Sequence, residues 1–197
     1  MSKKPMWLPL LFVLPVSLVL GCAEGGKVDQ GRVVEFDAAK RLVTIIRDVK
    51  NDSLNPDYSY LPPLTYALPE DPAETGPLPL AGGRLKLDAE KNQIKIYNPK
   101  TKNFLWIDFK PIEKKTGIDR DNPLVKNKKF PVVDKAKKTI TLYSARQKIL
   151  ETIEVPDEYL EWPESTWTAG DEVRVYYKEE GKALRFMNIT QTDIFKK

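Results

Sequence analysis

Residues 31–45 read Gly31-Arg-Val-Val-Glu-Phe-Asp37-Ala-Ala-Lys40-Arg-Leu-Val43-Thr-Ile45, and this pattern decides the fold. An apolar strand runs into Asp37, and alternating apolar residues follow Lys40. Aspartate suits the opening of a turn because its carboxylate accepts hydrogen bonds from nearby backbone N–H groups. Alternation is typical of a pleated, half-buried strand. The stretch therefore predicts a β-hairpin that turns at Asp37.

The same pattern recurs twice, in residues 84–96 with its turn at Asp88 and in residues 130–142 with its turn at Asp134. A fourth hairpin is predicted over residues 172–187, where Gly181 can take the positive φ that tight turns need. Four hairpins of this kind predict an all-β fold.

The hairpins repeat on a larger scale. Pro69 matches Pro156, and Ala81-Gly82 matches Ala169-Gly170 at nearly the same spacing. Asp37 and Asp134 lie about ten residues further apart than these pairs, and the surplus falls within residues 52–63. We interpret that stretch as an insertion or long loop, the kind of segment where growth is tolerated.

Each half then reads hairpin, single strand, loop, hairpin, which is the strand order expected of a small OB-like barrel. We expect two tandem OB-like β-barrels, at residues 31–109 and 130–197, joined by a polar linker at 110–129. A proline-rich insertion spans about residues 49–80 of the first domain, as a rigid spacer or as a docking strip that presents tyrosines. A single β-meander or sandwich is the alternative fold.

The second half also resembles small exported OB-like domains. The likeness is carried by a Val-Asp turn at Asp134, an Ile-x-Val-Pro strand end at Pro156 and the sequence Gly170-Asp-Glu-Val-Arg-Val. It covers about a third of the chain.

The amino-terminal residues predict an export signal. Lys3 and Lys4 precede an apolar run that ends in Val-Leu-Gly before Cys22, and this run is shorter than the ~20 residues of a spanning helix. The ending resembles the lipobox of bacterial lipoproteins. That resemblance implies a signal peptide at residues 1–21, cleavage before Cys22, lipid and palmitate groups on Cys22, and an anchor linker at 22–30.

The lipobox resemblance also implies a location. Ala23 follows the cysteine where an aspartate would signal retention in the inner membrane. We therefore expect an outer-membrane lipoprotein that faces the periplasm and contacts the lipid bilayer through acylated Cys22. Each buried methylene contributes about 0.8 kcal/mol, so two or three acyl chains would hold the protein firmly.

Composition restricts the chemistry. Without Lys3 and Lys4, the chain carries 30 basic and 28 acidic residues, which argues against nucleic-acid binding. Its single cysteine, Cys22, excludes an intrachain disulfide, and the absence of histidine excludes Ser-His-Asp and Cys-His catalysis. Met187 is the one methionine after the signal, too few soft ligands for copper. We predict no catalytic residues, no metal and no cofactor.

Two groups of residues in the segment 157–168 are candidate functional residues. Tyr159, Trp162 and Trp167 could stack on a glycan or peptide, or could plug one end of a barrel. Glu158 and Glu161 with nearby acids could serve a carboxylate-dependent hydrolase, or form a solvated acidic loop. Outside this segment, we expect Trp106 to lie in the core or between the halves.

Through motifs such as Thr166-Trp-Thr-Ala-Gly-Asp-Glu-Val-Arg-Val-Tyr-Tyr, the whole mature chain resembles an uncharacterised family of lipoproteins from sulfate-reducing bacteria and their relatives. That resemblance implies no activity. Our leading hypothesis is a non-catalytic, membrane-anchored periplasmic protein that binds another envelope protein or has a structural role. The alternatives are a glycan- or peptide-binding module that uses Tyr159, Trp162 and Trp167, and a carboxylate-dependent hydrolase.

Overall fold

The structure, a computed structural model, describes residues 25–52 and 54–192, and within them the fold is all-β. The predicted signal peptide and Cys22 lie outside the described residues. The strands are β1 (Lys27–Asp37), β2 (Leu42–Arg47), β3 (Leu64–Ala67), β4 (Arg84–Asp88), β5 (Gln93–Asn98), β6 (Asn103–Asp108), β7 (Lys110–Thr116), β8 (Val132–Asp134), β9 (Thr139–Ser144), β10 (Ile149–Glu154), β11 (Glu172–Tyr177) and β12 (Ala183–Asn188). Two short helices, α1 (Pro72–Thr75) and α2 (Asp157–Leu160), lie in the connections.

The four predicted hairpins are confirmed, and three of them have the same type of turn. In each of the three, a backbone N–H donates to the turn aspartate: Lys40 N to Asp37 Oδ1 at 3.0 Å, Lys91 N to Asp88 Oδ1 at 3.1 Å, and Lys137 N to Asp134 Oδ1 at 3.0 Å. The next residue takes a positive φ every time: Arg41 at 53°, Asn92 at 55° and Lys138 at 55°. The repeated sequence pattern therefore encodes a repeated local geometry.

The strands form three antiparallel sheets, ordered β12-β11-β1-β2-β3, β7-β10-β9-β8 and β4-β5-β6. Within the described ranges, none of them closes into a barrel. The edges of the first sheet meet only at a parallel bridge between Ala67 and Lys182, beside a 2.8 Å bond from Ala67 N to Gly181 O. The meander or sandwich alternative fits this topology, and the two tandem OB-like barrels are not confirmed.

Strands from both predicted domains share the first sheet, because β1 pairs with β11 through Gly31 and Val173. Residues 31–109 and 130–197 therefore do not form separate sheets. The predicted linker 110–129 is also corrected, since its first part is strand β7, which pairs with β10. We attribute the missed strand to its being a highly charged, exposed edge strand, without the apolar alternation that marks half-buried strands.

Each of the two larger hydrophobic cores combines elements of both sequence halves. The first core joins β1–β3 to β11–β12 and includes Val33, Ile45, Val175 and Phe186. The second core joins β4–β6 to β8–β10 and the segment after β10. Between the two, a smaller cluster packs Val34, Ile46, Tyr58, Leu85 and Tyr97. The last hairpin of each half thus completes the core of the other half.

The crossing point lies at the two matched Ala-Gly pairs. Gly83 bridges Ala169, and a Cβ on Gly82 would lie 2.3 Å from the Thr168 carbonyl oxygen. A Cβ on Gly170 would lie 1.8 Å from the Val33 carbonyl oxygen. Because real Cβ atoms do not come so close to backbone, only glycine permits this approach.

The proline-rich stretch is neither a plain spacer nor a strip that presents its tyrosines, because it contains strand β3 and contributes Tyr58 and Tyr66 to the cores. Tyr58 and Tyr66 are almost completely buried, and Tyr60 lies under Arg47, whose Cζ is 4.1 Å from the ring centroid. The docking-strip interpretation is therefore wrong. No helix of the described residues has the length and apolar character needed to cross a membrane.

Candidate functional site

A cleft of about 1590 Å³ opens where the first sheet meets β4 and the turn between β9 and β10. Lys50, Asp52, loop residues 54–56 and the end of β12 also line it. Six of the eight arginines in the chain line it: Arg32, Arg84, Arg120, Arg146, Arg174 and Arg185. A nearly neutral protein thus gathers most of its guanidinium groups in one concave surface.

Most carboxylates that line the cleft are engaged by neighbours. Glu172 contacts Arg146 and accepts a 2.8 Å hydrogen bond from Gln30 Nε2. Glu74 holds the Arg185 guanidinium through both of its oxygens.

Asp171 is engaged without a cation. It accepts hydrogen bonds from Leu80 N at 2.9 Å, Asn188 Nδ2 at 2.8 Å and Gln191 Nε2 at 2.7 Å. These bonds tie the loop before β4 to the end of β12. Asp171 therefore shapes the wall and is not positioned to neutralise an arginine.

Arg84 is a buried cation that is held by neutral groups. Its side chain starts from β4, is 6% exposed, and donates from Nε to the Trp167 carbonyl and from Nη2 to the Tyr143 carbonyl, both at 3.0 Å. Burial, with a smaller effect from the nearby Arg32 guanidinium, lowers the pKa of Arg84 to about 9. The group is still charged at neutral pH, and its charge is not compensated.

Arg32 lies on β1 with its guanidinium over the Tyr58 ring, 4.8 Å from Cζ to the ring centroid. Its Nε is buried and has no hydrogen-bond partner. Across residues 25–52 and 54–192, neither Arg32 nor Arg84 has a carboxylate within 4 Å. Two guanidinium groups therefore line the same cleft with unused donors.

The aromatic residues predicted as a binding site are placed differently. Trp167 is completely buried in the second core, where it can touch no ligand. Tyr159 and Trp162 do come together, edge to face, with ring centroids 5.2 Å apart. Both are half-buried and pack against the same core. Glu158 and Glu161 are exposed, as in a solvated acidic loop.

The prediction for Trp106 is wrong. This residue lies on β6, the edge of the three-stranded sheet, and its side chain is on the outer face, 45% exposed. Lys95 Nζ lies 5.9 Å from its ring centroid and 3.9 Å from that of Phe104. An exposed edge strand can carry aromatic residues outward, and the apolar run alone did not reveal the face.

A buried carboxyl was also missed. Glu151 on β10 is fully buried, and neither of its carboxylate oxygens has a hydrogen-bond partner among residues 25–52 and 54–192. Burial raises the pKa of Glu151, against the opposing effect of Lys114. Its phase with Ile153, two positions on, could have placed it on the core face. No group of three or more candidate metal-ligating residues occurs in the described part of the chain.

The chain belongs to the family described as "Domain of unknown function (DUF4881)", whose model matches residues 24–197. The match covers all the described strands. No curated protein and no solved structure matches the chain. The family description assigns no activity, so the functional argument depends on the residues themselves.

Proposed function

We propose that this protein is a lipid-anchored, non-catalytic binding protein of the bacterial cell envelope, and that the arginine-lined cleft is where its envelope partner binds. The observation that carries the binding role is the gathering of six of eight arginines in one cleft. Concave sites with a few convergent polar groups are the usual places for ligands.

The anchor is argued from sequence. The charged start, the short apolar run and the Val-Leu-Gly before Cys22 support acylation of Cys22, and Ala23 supports placement in the outer membrane facing the periplasm. The non-catalytic role is supported by composition, since the chain has no histidine and its only thiol is the proposed lipidation site.

The proposal for the fold is a pair of OB-like units that have exchanged their last hairpins. It is supported by β11 beside β1, by the Ala67–Lys182 bridge between β3 and β12, and by the two mixed cores. A chain that ends at residue 109 would then lack β11–β12 and is expected not to fold. Cooperative unfolding of that fragment would instead support independent tandem barrels.

The function is tested in intact cells. Labelled palmitate should enter the wild-type protein and not the Cys22→Ser variant, and only the wild type should fractionate with the outer membrane. Chemical crosslinking followed by mass spectrometry should then capture one reproducible envelope protein from the anchored form. Label on the Cys22→Ser variant would contradict the anchor, and absence of any captured protein would contradict the binding role.

A second candidate is a glycan- or peptide-binding surface, favoured by the half-exposed pair of Tyr159 and Trp162. Aromatic faces of this kind stack on sugars and on prolines at small entropic cost. Trp167 cannot take part because it is fully buried. Loss of glycan binding in a folded Trp162→Ala variant would support this candidate.

A further inference from the structure

We propose that Arg32 and Arg84 form an oxyanion site in the cleft, which binds a doubly charged, tetrahedral oxyanion such as a phosphate monoester. This inference rests on the proposed function only in taking the cleft as the binding site, and it names the chemical group that the site recognises.

Among the described residues, the guanidinium groups of Arg32 and Arg84 have hydrogen-bond donors that are not used. A guanidinium has five N–H donors, and Arg84 uses two of them, on the Trp167 and Tyr143 carbonyls. These two bonds fix the guanidinium from the side of the protein. Its other N–H groups make no bond within the described residues. Arg32 adds a buried Nε that makes no hydrogen bond.

The positive charges of Arg32 and Arg84 are not paired with a carboxylate of the described residues. A buried cation is usually paired with an anion, because taking a charge out of water costs several kcal/mol. The carboxylates of Glu74 and Glu172 are held by Arg185 and Arg146, and that of Asp171 by amides. In the described part of the chain, Arg32 and Arg84 therefore lack the carboxylate that their environment calls for. A bound anion would supply it.

Contacts with the protein hold both guanidinium groups in place. Tyr58 packs against the guanidinium of Arg32, and the two carbonyl bonds hold that of Arg84, so both groups are positioned before a ligand arrives. Arginine is suited to phosphate because its planar fork can donate two parallel hydrogen bonds. Two such cations match two negative charges better than the single charge of a carboxylate.

Lys50 and Lys86 add positive charge along the same cleft. Lys86 Nζ forms an ion pair with Asp88 Oδ2 at 3.2 Å, so its positive charge is partly neutralised. Lys50 is exposed and lines the cleft beside Asp52. These positions would attract an anion toward the cleft without fixing its geometry.

The test uses the full chain in detergent, titrated with inorganic phosphate, sulfate or acetate at matched ionic strength. Phosphate and sulfate should raise the thermal unfolding midpoint saturably, whereas acetate should not, because a ligand that binds only the folded state stabilises it. Arg32→Gln should weaken phosphate binding by at least about tenfold, and Arg32→Lys by less, since lysine keeps the charge but loses the fork. The matched control is Arg47→Gln, which removes an arginine outside the cleft and should leave binding unchanged.

The charge state of the ligand gives an independent readout. Inorganic phosphate is mostly a dianion at about pH 7.5 and mostly a monoanion at about pH 5.5, so its binding should fall at least severalfold over that range. Sulfate stays doubly charged over that range, and its binding should stay constant. Parallel loss of both would contradict the proposal, because the change would then come from the protein.

Vesicles distinguish the source of the group. Binding to vesicles that contain phosphatidic acid, lost in Arg32→Gln, would place the phosphate on a lipid headgroup, whereas binding of free phosphate alone would place it on a soluble ligand. Equal effects of acetate and phosphate, or unchanged phosphate binding in Arg32→Gln, would overturn the proposal. Capture of an envelope partner in cells with no phosphate binding would overturn the oxyanion site and leave the proposed function standing.

Discussion

The aromatic segment 157–168 and the arginine-lined cleft differ in how the fold uses their side chains. In the segment, Trp167 has a ring that could stack on a ligand, but this side chain is completely buried in the second core. In the cleft, Arg32 and Arg84 keep donors that no group of the described residues satisfies. A side chain that can bind is therefore a weaker guide to function than one whose bonding capacity the fold leaves unused.

The largest effect should come from Trp167→Ala. Removal of a fully buried tryptophan from the second core is expected to cost about 3–5 kcal/mol of unfolding free energy. Urea denaturation measures this, with the half-buried Trp162→Ala as the control that should lose much less. A Trp167→Ala protein with wild-type stability and lost glycan binding would reverse the comparison.

The cleft wall should be sensitive at Gly170. Gly170→Ala would place a Cβ 1.8 Å from the Val33 carbonyl oxygen, so the backbone at one of these two residues must shift. We expect this shift to lower the free energy of unfolding by about 3 kcal/mol. Gly25→Ala is the control, because nothing lies within 4 Å of its added Cβ. If thermal unfolding of both variants matches the wild type, the close crossing is not the constraint described above.

Glu151→Gln should stabilise the protein by about 1 kcal/mol at neutral pH, because the amide keeps the shape without a charge to desolvate. The folded pKa of Glu151 lies above its unfolded value, so the stability that this group contributes is fully present below the unfolded pKa and is lost as pH rises through the folded one. The gain in urea midpoint of Glu151→Gln over the wild type should therefore be larger at about pH 8 than at about pH 4. An equal gain at both pH values would contradict the assignment.

The smallest effect on stability is expected for Arg32→Gln. Removal of an uncompensated charge should change the unfolding free energy by no more than about 0.5 kcal/mol, since the lost stacking on Tyr58 is offset by relief of repulsion with Arg84. Differential scanning calorimetry in the absence of phosphate or sulfate checks this. A loss of several kcal/mol would show that Arg32 serves the fold rather than a ligand.

Local features of the fold could be predicted from sequence because they depend on neighbouring residues. The turns at Asp37, Asp88 and Asp134 follow from one carboxylate and one backbone N–H three positions later. The pairing of β1 with β11 could not be predicted this way, because residues more than a hundred positions apart meet there, and short alternating strands do not specify their distant neighbours.

The candidate site was hidden for the same reason. Tyr159 and Trp162 stand close together in the sequence, whereas Arg32 and Arg84 belong to different hairpins that meet at one cleft only in the folded chain. Burial of Trp167 depends on packing from β4–β6, which the sequence around it does not show. The burial of Glu151 could be predicted from sequence, because its position in an alternating strand places it on the core face with Ile153.

Site-specific photo-crosslinking in intact cells can show whether a partner binds at the arginine-lined cleft or at the aromatic segment. A photoreactive phenylalanine would replace Leu54, a 75% exposed residue in the cleft wall, or Glu161, an exposed residue of the aromatic segment. We predict that the Leu54 position captures an envelope partner, that Arg32→Gln in the same chain reduces the capture, and that the Glu161 position captures none. Capture from Glu161 alone would contradict the account and place binding at the aromatic segment.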